Sequence, residues 1–319
     1  MPDRFNFHDK SPAVYHKIER RFYFMTVQNS SKTAEYMALF RALESKRSSS
    51  TRLFADPLAT DFLRPSLKRM ALLARFPGGG TLVGKIADHR IPGARTSAIA
   101  RTRLIDDLLV EAIGNEPCQI VILGAGFDCR AYRLLILNSR DVYEVDHPLT
   151  LERKRTQLKQ RFGKLHQNLR YVPIDFNRED LSCTLNQAGL TGSVKTVFLW
   201  EGVTNYLTAE AVVSVLGYVS GYPSGSRVIF TYVHSGLLDG TVKFYGAERL
   251  LADVAALHEP WTFGMNPADI DRCLQEVGLR LVVDLGASEY RKRYFGGAAD
   301  DMRGYEFYHV AMAEVPHRD

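Results

Sequence analysis

The run QIVILGAGFDCRAYRL (119–134) drives four apolar residues into Gly124-Ala125-Gly126. Two glycines spaced in this way after a buried strand let the backbone approach a ligand with no side chain between them. A dinucleotide fingerprint needs a third glycine, so that the helix packs close and offers its N-terminus to a pyrophosphate; that position is Cys129. S-Adenosylmethionine has no pyrophosphate. Its binder needs contacts to a ribose, to an adenine and to a zwitterionic methionine end, and carboxylates are spaced for each. Asp146 lies 22 residues beyond Gly124 and ends the run VYEVD, where a ribose ligand is expected, with Glu144 as a neighbouring candidate. Asp175, ending YVPID, is placed to accept from an adenine amino group, and Glu201, ending FLWE, falls at the rim of the same cleft. Acids at strand ends also cap helices. The glycine pair alone fits a nicotinamide dinucleotide as well as S-adenosylmethionine, and the missing glycine with the three acids favours the latter.

Methyl transfer from a sulfonium is an in-line displacement on an already activated carbon, so the protein mainly aligns the nucleophile and strips water from it. A carboxylate acceptor, with a pKa of about 4, needs no base at neutral pH, whereas a phenol at about 10 must lose a proton. His234, ending the fifth apolar run, is the best-placed candidate base, against a structural role for a lone strand-end histidine. His147 is expected to shape the ribose turn. Tyr206, in GVTNYL, is placed to orient an acceptor oxygen through its hydroxyl, or to pack as a half-buried aromatic beside the cleft.

These residues need strands to position them. QIVIL (119–123), DVYEVD (141–146), LRYVPID (169–175), VKTVFLW (194–200), SRVIFTYV (226–233), RLVVDLG (280–286) and EFYHVAMAEV (306–315) are strand candidates. The first five are separated by segments long enough for crossover helices, which predicts a mostly parallel sheet covered on both faces. Residues 1–115 read as a helical cap ahead of an α/β domain over 116–319. TAEYMALFRALES (33–45), ATDFLRPSLKRMALLARF (59–76) and ARTSAIARTRLIDDLLVEAI ending at Gly114 carry helical spacing, while SKRSSSTR (45–52) and FPGGGT (76–81) read as breaks. An insertion at about 237–268, with Trp261, Phe263 and Met265 and with His258, suits a substrate lid or a packed helix.

The balance of 41 Lys+Arg against 36 Asp+Glu gives +5, too mild and evenly spread to argue for a nucleic-acid or anionic-membrane partner. The basic run ERKRTQLKQRFGKL (152–165) fits a solvated crossover helix, and SEYRKRYFGG (288–297) a packed surface. Four cysteines without Cys-x-x-Cys spacing imply reduced thiols, and no His/Cys cluster implies a metal. A charged N-terminus and the lack of a long apolar run predict a soluble, cytoplasmic protein. Oligomeric state is not legible.

TAEYMALFRALES, LFADPLATDFL, ARTRLIDDLL, VILGAGFDCRAYRL, VYEVDHP, VPIDFN, WEGVTNYL and EPWTFG together resemble the leucine carboxyl methyltransferase family, over roughly residues 30–310. Within it, the chain is most similar to the bacterial and fungal branch that includes polyketide O-methyltransferases. The resemblance implies a class I methyltransferase fold: a Rossmann-like sheet of seven strands with an antiparallel final hairpin, an N-terminal helical cap, and here an insertion after the fifth strand. It implies S-adenosyl-L-methionine as cofactor. Arg101 would pair with the methionine carboxylate, and Arg41 would occupy a second basic position. Gly124 and Gly126 would line the methionine end, Asp146 the ribose, Asp175 and Phe176 the adenine, and Glu201 the methionine side of the cleft. The implied activity is O-methylation of a small-molecule carboxylate or hydroxyl in specialised metabolism. The alternatives are methylation of a protein C-terminal carboxylate, a noncatalytic binding protein, or a nicotinamide-dependent dehydrogenase.

Overall fold

A computed structural model describes residues 33–76, 78–176, 179–256 and 260–317; His258 lies outside them. Helix α1 covers 33–44. It is followed by α2 (Pro65–Leu73), α3 (Gly79–Arg90) and α4 (Ala94–Ile113), and then by β1 (Gln119–Leu123), α5 (Arg130–Arg133), β2 (Val142–Asp146), α6 (Pro148–Phe162) and β3 (Leu169–Pro173). The chain continues through α7 (Leu181–Gln187), β4 (Thr196–Trp200), α8 (Ala209–Ser220), β5 (Arg227–Val233), α9 (Ala247–Ala256), α10 (Ile270–Glu276), β6 (Arg280–Gly286), α11 (Ala287–Phe295) and β7 (Tyr308–Glu314).

The seven strands form one sheet in the order β3-β2-β1-β4-β5-β7-β6. Strands β1 to β5 pair in parallel, and β7 runs antiparallel between β5 and β6. The order reverses between β1 and β4, so the carboxyl ends of these strands form the crevice in which such sheets bind ligands. β1 and β4 are buried along their whole length, which is why they read as apolar runs with no alternation. One face packs Val121, Val145, Phe198 and Phe230 against Val212, Leu216 and Val219 of α8. The other packs Ile120, Ile122, Val197 and Ile229 under Leu104, Ile105, Leu108 and Leu109 of α4. Burying each such side chain contributes about 1.5–3 kcal/mol as an upper bound. α4 therefore closes the cap in sequence and covers the sheet in space.

Three expectations change. The β1–β2 crossover is only the single turn of α5 and a short 3-10 turn, because α4 already covers the face a longer helix would occupy. The FPGGGT break starts α3, which buries Val83 and Ala87 at i, i+4 spacing. β3 stops at Pro173: the Ile174 N–H still reaches the Asp146 carbonyl at 3.0 Å, but the Asp175 N–H turns to the Glu179 carboxylate at 2.7 Å.

The insertion packs against the cap. Leu237 and Ala247 share one core cluster with Phe40, Ala94, Ala98 and Ile99, and Trp261 packs against it. Its far end is laced to β5: the Met265 N–H reaches the Val233 carbonyl at 2.8 Å, and the Ser235 N–H reaches the Met265 carbonyl at 3.1 Å. A Cβ at Gly264 would stand 2.9 Å from the Ser235 Cα, so this approach requires glycine.

Candidate active site

The glycine turn leaves β1 with Gly124 at φ +65°, and a Cβ there would lie 2.3 Å from Val203 Cγ2. The turn is thus fitted against the GVTNYL loop after β4, and any side chain at 124 would separate the two. Gly126 has more room, with Ala34 Cβ of α1 at 3.9 Å from its would-be Cβ. Asp146 clasps the turn. Its Oδ2 accepts from the Gly126 N–H at 2.6 Å, and its Oδ1 from the His147 N–H at 2.6 Å. Each oxygen keeps a further lone pair, the acceptor pattern that two adjacent ribose hydroxyls require. Burial pushes this carboxyl up, against the pull of the two backbone bonds. Glu144 is not an alternative ribose ligand. It is fully buried with Lys154, Nζ to Oε2 at 2.7 Å. Cys129 is a buried thiol pushed well above its ordinary range by burial, a core residue rather than a nucleophile.

The residues expected at the methionine end form a charge network. Arg101, on α4, places Nε 2.9 Å from Glu201 Oε1, and its guanidinium stacks over the Tyr308 ring at 4.8 Å. Arg130, on α5, holds the other Glu201 oxygen at 2.9 Å, donates to Asp106 at 2.7 Å and pairs with Asp128. Arg133 completes the set through Asp106, at 2.7 Å from Nη2 to Oδ1. Three guanidinium groups thus face three carboxylates, so the buried network is neutral. Burial alone would raise the Glu201 pKa; Arg130 and Arg101 beside it win, and it sits below its ordinary range. The Glu201 carboxylate is therefore first a clamp that orients two arginines. Arg130, Asp128 and Asp106 have no assigned role in the sequence reading. Their only signal is position within FDCR and LIDD, which the motifs contain without distinguishing.

Arg41, on α1, is largely buried. Its Nε lies 2.9 Å from Asp56 Oδ2, and its Nη2 donates to the Phe127 carbonyl at 2.6 Å. It fastens α1 to the glycine turn, and its charge is answered by Asp56. Asp175 and Phe176 follow β3, both half-buried, with Phe176 resting on the core beneath the sheet's carboxyl edge.

On the acceptor side, His234 is engaged with the backbone. Its Nδ1 accepts the Gly236 N–H at 3.0 Å, capping the 3-10 turn Ser235–Leu237. In the neutral ring Nε2 then carries the proton, so the imidazole offers a donor rather than a lone pair. Burial, with His309 nearby, lowers its pKa and so favours the neutral ring. Tyr206 meets the edge of Trp261 at 6.3 Å between ring centroids, and Trp261 meets Tyr308 at 5.7 Å. An aromatic wall thus runs from the GVTNYL loop through the insertion to the ring that Arg101 stacks upon. Among the described residues no group of His, Cys, Asp and Glu could hold a metal ion, and no helix is long and apolar enough to cross a membrane.

This sheet order, glycine turn and β2 carboxylate are those of the class I methyltransferase architecture. The sequence profile of leucine carboxyl methyltransferases matches residues 34–220, more than half of the chain, and the protein belongs to that family. It is 34% identical over 209 residues to a Streptomyces coelicolor protein named as a candidate S-adenosyl-L-methionine-dependent methyltransferase, covering 65% of this chain and 70% of that one. The similarly named YktD of Bacillus subtilis is 31% identical over 217 residues, 67% of this chain and 71% of its own. A solved structure of a candidate methyltransferase from Thermobifida fusca superposes with a TM-score of 0.53 at 18% identity, covering 76% of this chain and 91% of that one, a likeness of fold.

Proposed function

We propose that the protein is an S-adenosyl-L-methionine-dependent O-methyltransferase whose acceptor is the carboxylate of a small molecule. The residues present fit the cofactor: the Asp146 carboxylate has a lone pair left on each oxygen, and glycines 124 and 126 keep the turn free of side chains. Asp146 would hold the ribose, Asp175 and Phe176 the adenine, and Arg101, oriented by Glu201, the methionine carboxylate. When bound, the cofactor supplies a methyl group on a positively charged sulfur.

The observation that carries the choice of carboxylate is the hydrogen bond at His234 Nδ1. The imidazole at the end of β5 is committed to the Gly236 N–H, so what it can give an acceptor is an N–H hydrogen bond. A carboxylate is ionised without help and gains from such a donor, whereas a phenol needs a base. Tyr206 and Trp261 would then exclude water and orient the acceptor.

Isothermal titration with S-adenosylhomocysteine tests the cofactor, and absence of binding would sink the proposal. Incubation with labelled cofactor and extracted metabolites tests the acceptor: base-labile label in a small molecule is expected, while label on a protein C-terminus would move the acceptor class.

A further inference from the structure

We propose that the α2–α3 hairpin is a docking surface for an anionic lipid bilayer. Of thirteen large apolar side chains exposed among the described residues, five lie within fifteen residues of this hairpin: Leu72, Leu73, Phe76, Leu82 and Ile86. Phe76 is 67% exposed and Leu82 61%. Their placement follows from the helices. α2 buries Leu67 and Ala71, α3 buries Val83 and Ala87, and the two helices touch, so the side chains off those faces are left to solvent on neighbouring helices. Burying the inner faces therefore does not account for the outer ones, and so tight a cluster is unlike the singly scattered apolar residues of ordinary surfaces.

The charge around the patch names its partner. Residues 65–90 contain Lys68, Arg69, Arg75, Lys85 and Arg90 against one acid, Asp88, a balance of +4 out of the whole chain's +5. Asp88 is answered by Arg95 at 2.6 Å, and none of the five basic residues forms an ion pair with a described residue. Lys68 and Arg69 stand one helical turn from Leu72 and Leu73. Lys85 adjoins Ile86, and Arg90 lies one turn beyond it. Apolar side chains flanked by basic residues suit a bilayer whose headgroups are anionic. A second copy of this chain would bring an equally basic rim against it. The chain's mild net charge, which argued against a membrane partner, conceals this because the average spreads what the hairpin concentrates. Among the described residues no helix is long and apolar enough to cross a membrane, and the contact proposed is a peripheral one.

The test is co-sedimentation of the full chain with phosphatidylcholine vesicles containing or lacking phosphatidylglycerol, alongside analytical ultracentrifugation. Sedimentation should require phosphatidylglycerol and fall with rising salt. The double variant Phe76→Ser/Leu82→Ser should lose about tenfold or more of it. Lys68→Glu/Lys85→Glu should also lose it, and both variants should bind S-adenosylhomocysteine as the parent does, which separates lost docking from lost fold. Failure to sediment with phosphatidylglycerol vesicles overturns the proposal. So does binding that survives Phe76→Ser/Leu82→Ser, which would make it charge alone, or a dimer that this variant dissolves, which would make the patch a self-interface.

Discussion

The two sides of the crevice are built by different physics. Beside β1 and β4 the site is a neutral network of buried ions, Arg101, Arg130 and Arg133 against Asp106, Asp128 and Glu201, supplied by α4, by the turn after β1 with α5, and by the turn after β4. Beside β5 and β7 it is aromatic, with Tyr206, Trp261, Phe307 and Tyr308 meeting edge to face or tilted. A charge network tolerates few substitutions, because each charge is buried for the sake of another. An aromatic wall can be reshaped by volume. The family match ends at residue 220, so it covers the ionic side and leaves the insertion and β5 to β7 outside. On the proposed reading the ionic side would serve a cofactor that does not change, and the aromatic side is where an acceptor would be chosen.

The sharpest break in that contrast is Arg130→Met. It leaves Glu201, Asp128 and Asp106 each short of a buried partner, and removing one member of such a set costs about 3–5 kcal/mol. Urea unfolding should show that loss, together with weakened S-adenosylhomocysteine binding. A loss below about 1 kcal/mol would mean that the network is solvated in practice.

The ionic side should also respond to pH in two opposite ways. Asp128 and Glu201 are held below the usual carboxylate range, so their stabilisation is present above the unfolded pKa and disappears as pH falls through the folded one. Glu144 is the reverse: burial pushes it up to about 7 from 4.5, Lys154 notwithstanding. Its contribution is complete below about 4.5 and is lost as pH rises through 7, up to about 3 kcal/mol. Glu144→Gln should flatten the dependence of unfolding free energy on pH across that interval and leave the acid limb intact. An unchanged slope would show that Glu144 stays ionised throughout.

How much of this could be read beforehand follows the same division. The strands and the acids after them were legible because the apolar runs of β1, β2 and β4 are punctuated by glycine or acid, and a carboxylate such as Asp146 acts close to the strand that carries it. The partners of those acids were not, since Arg130 reaches Glu201 across 71 residues and nothing local marks that both arginines of FDCRAYRL turn inward. α3 was lost for a local reason: three glycines at its start mask a helix whose stabilisation comes from Val83 and Ala87 packing in the cap. His234 was found by position, but its role depends on which ring nitrogen a backbone N–H engages, and no spacing encodes that.

On the aromatic side effects should be smaller and confined to the acceptor. Trp261→Ala removes contacts to Tyr206, Phe307 and Tyr308 and, with the indole half-exposed, should cost about 2 kcal/mol of stability. It should raise the acceptor KM while S-adenosylhomocysteine binds as before. Equal damage to cofactor binding would show that the two sides are one cooperative unit.

The smallest expected effect separates two chemistries. In His234→Asn the side-chain oxygen can still accept the Gly236 N–H, so the cap survives while the Nε2–H donor is exchanged for an amide N–H. If His234 only donates to an acceptor that is already ionised, the loss is part of one hydrogen bond, about 1 kcal/mol, and the rate falls by less than about tenfold. It should do so evenly across pH, because no group at 234 needs to change protonation. If the imidazole were a base, its removal would cost about 10²–10⁴ in rate and abolish the rise in rate as pH passes the histidine range. Rate against pH for the parent and this variant, with one carboxylate and one phenolic acceptor, therefore decides whether the β5 end of the crevice only aligns its acceptor or also ionises it.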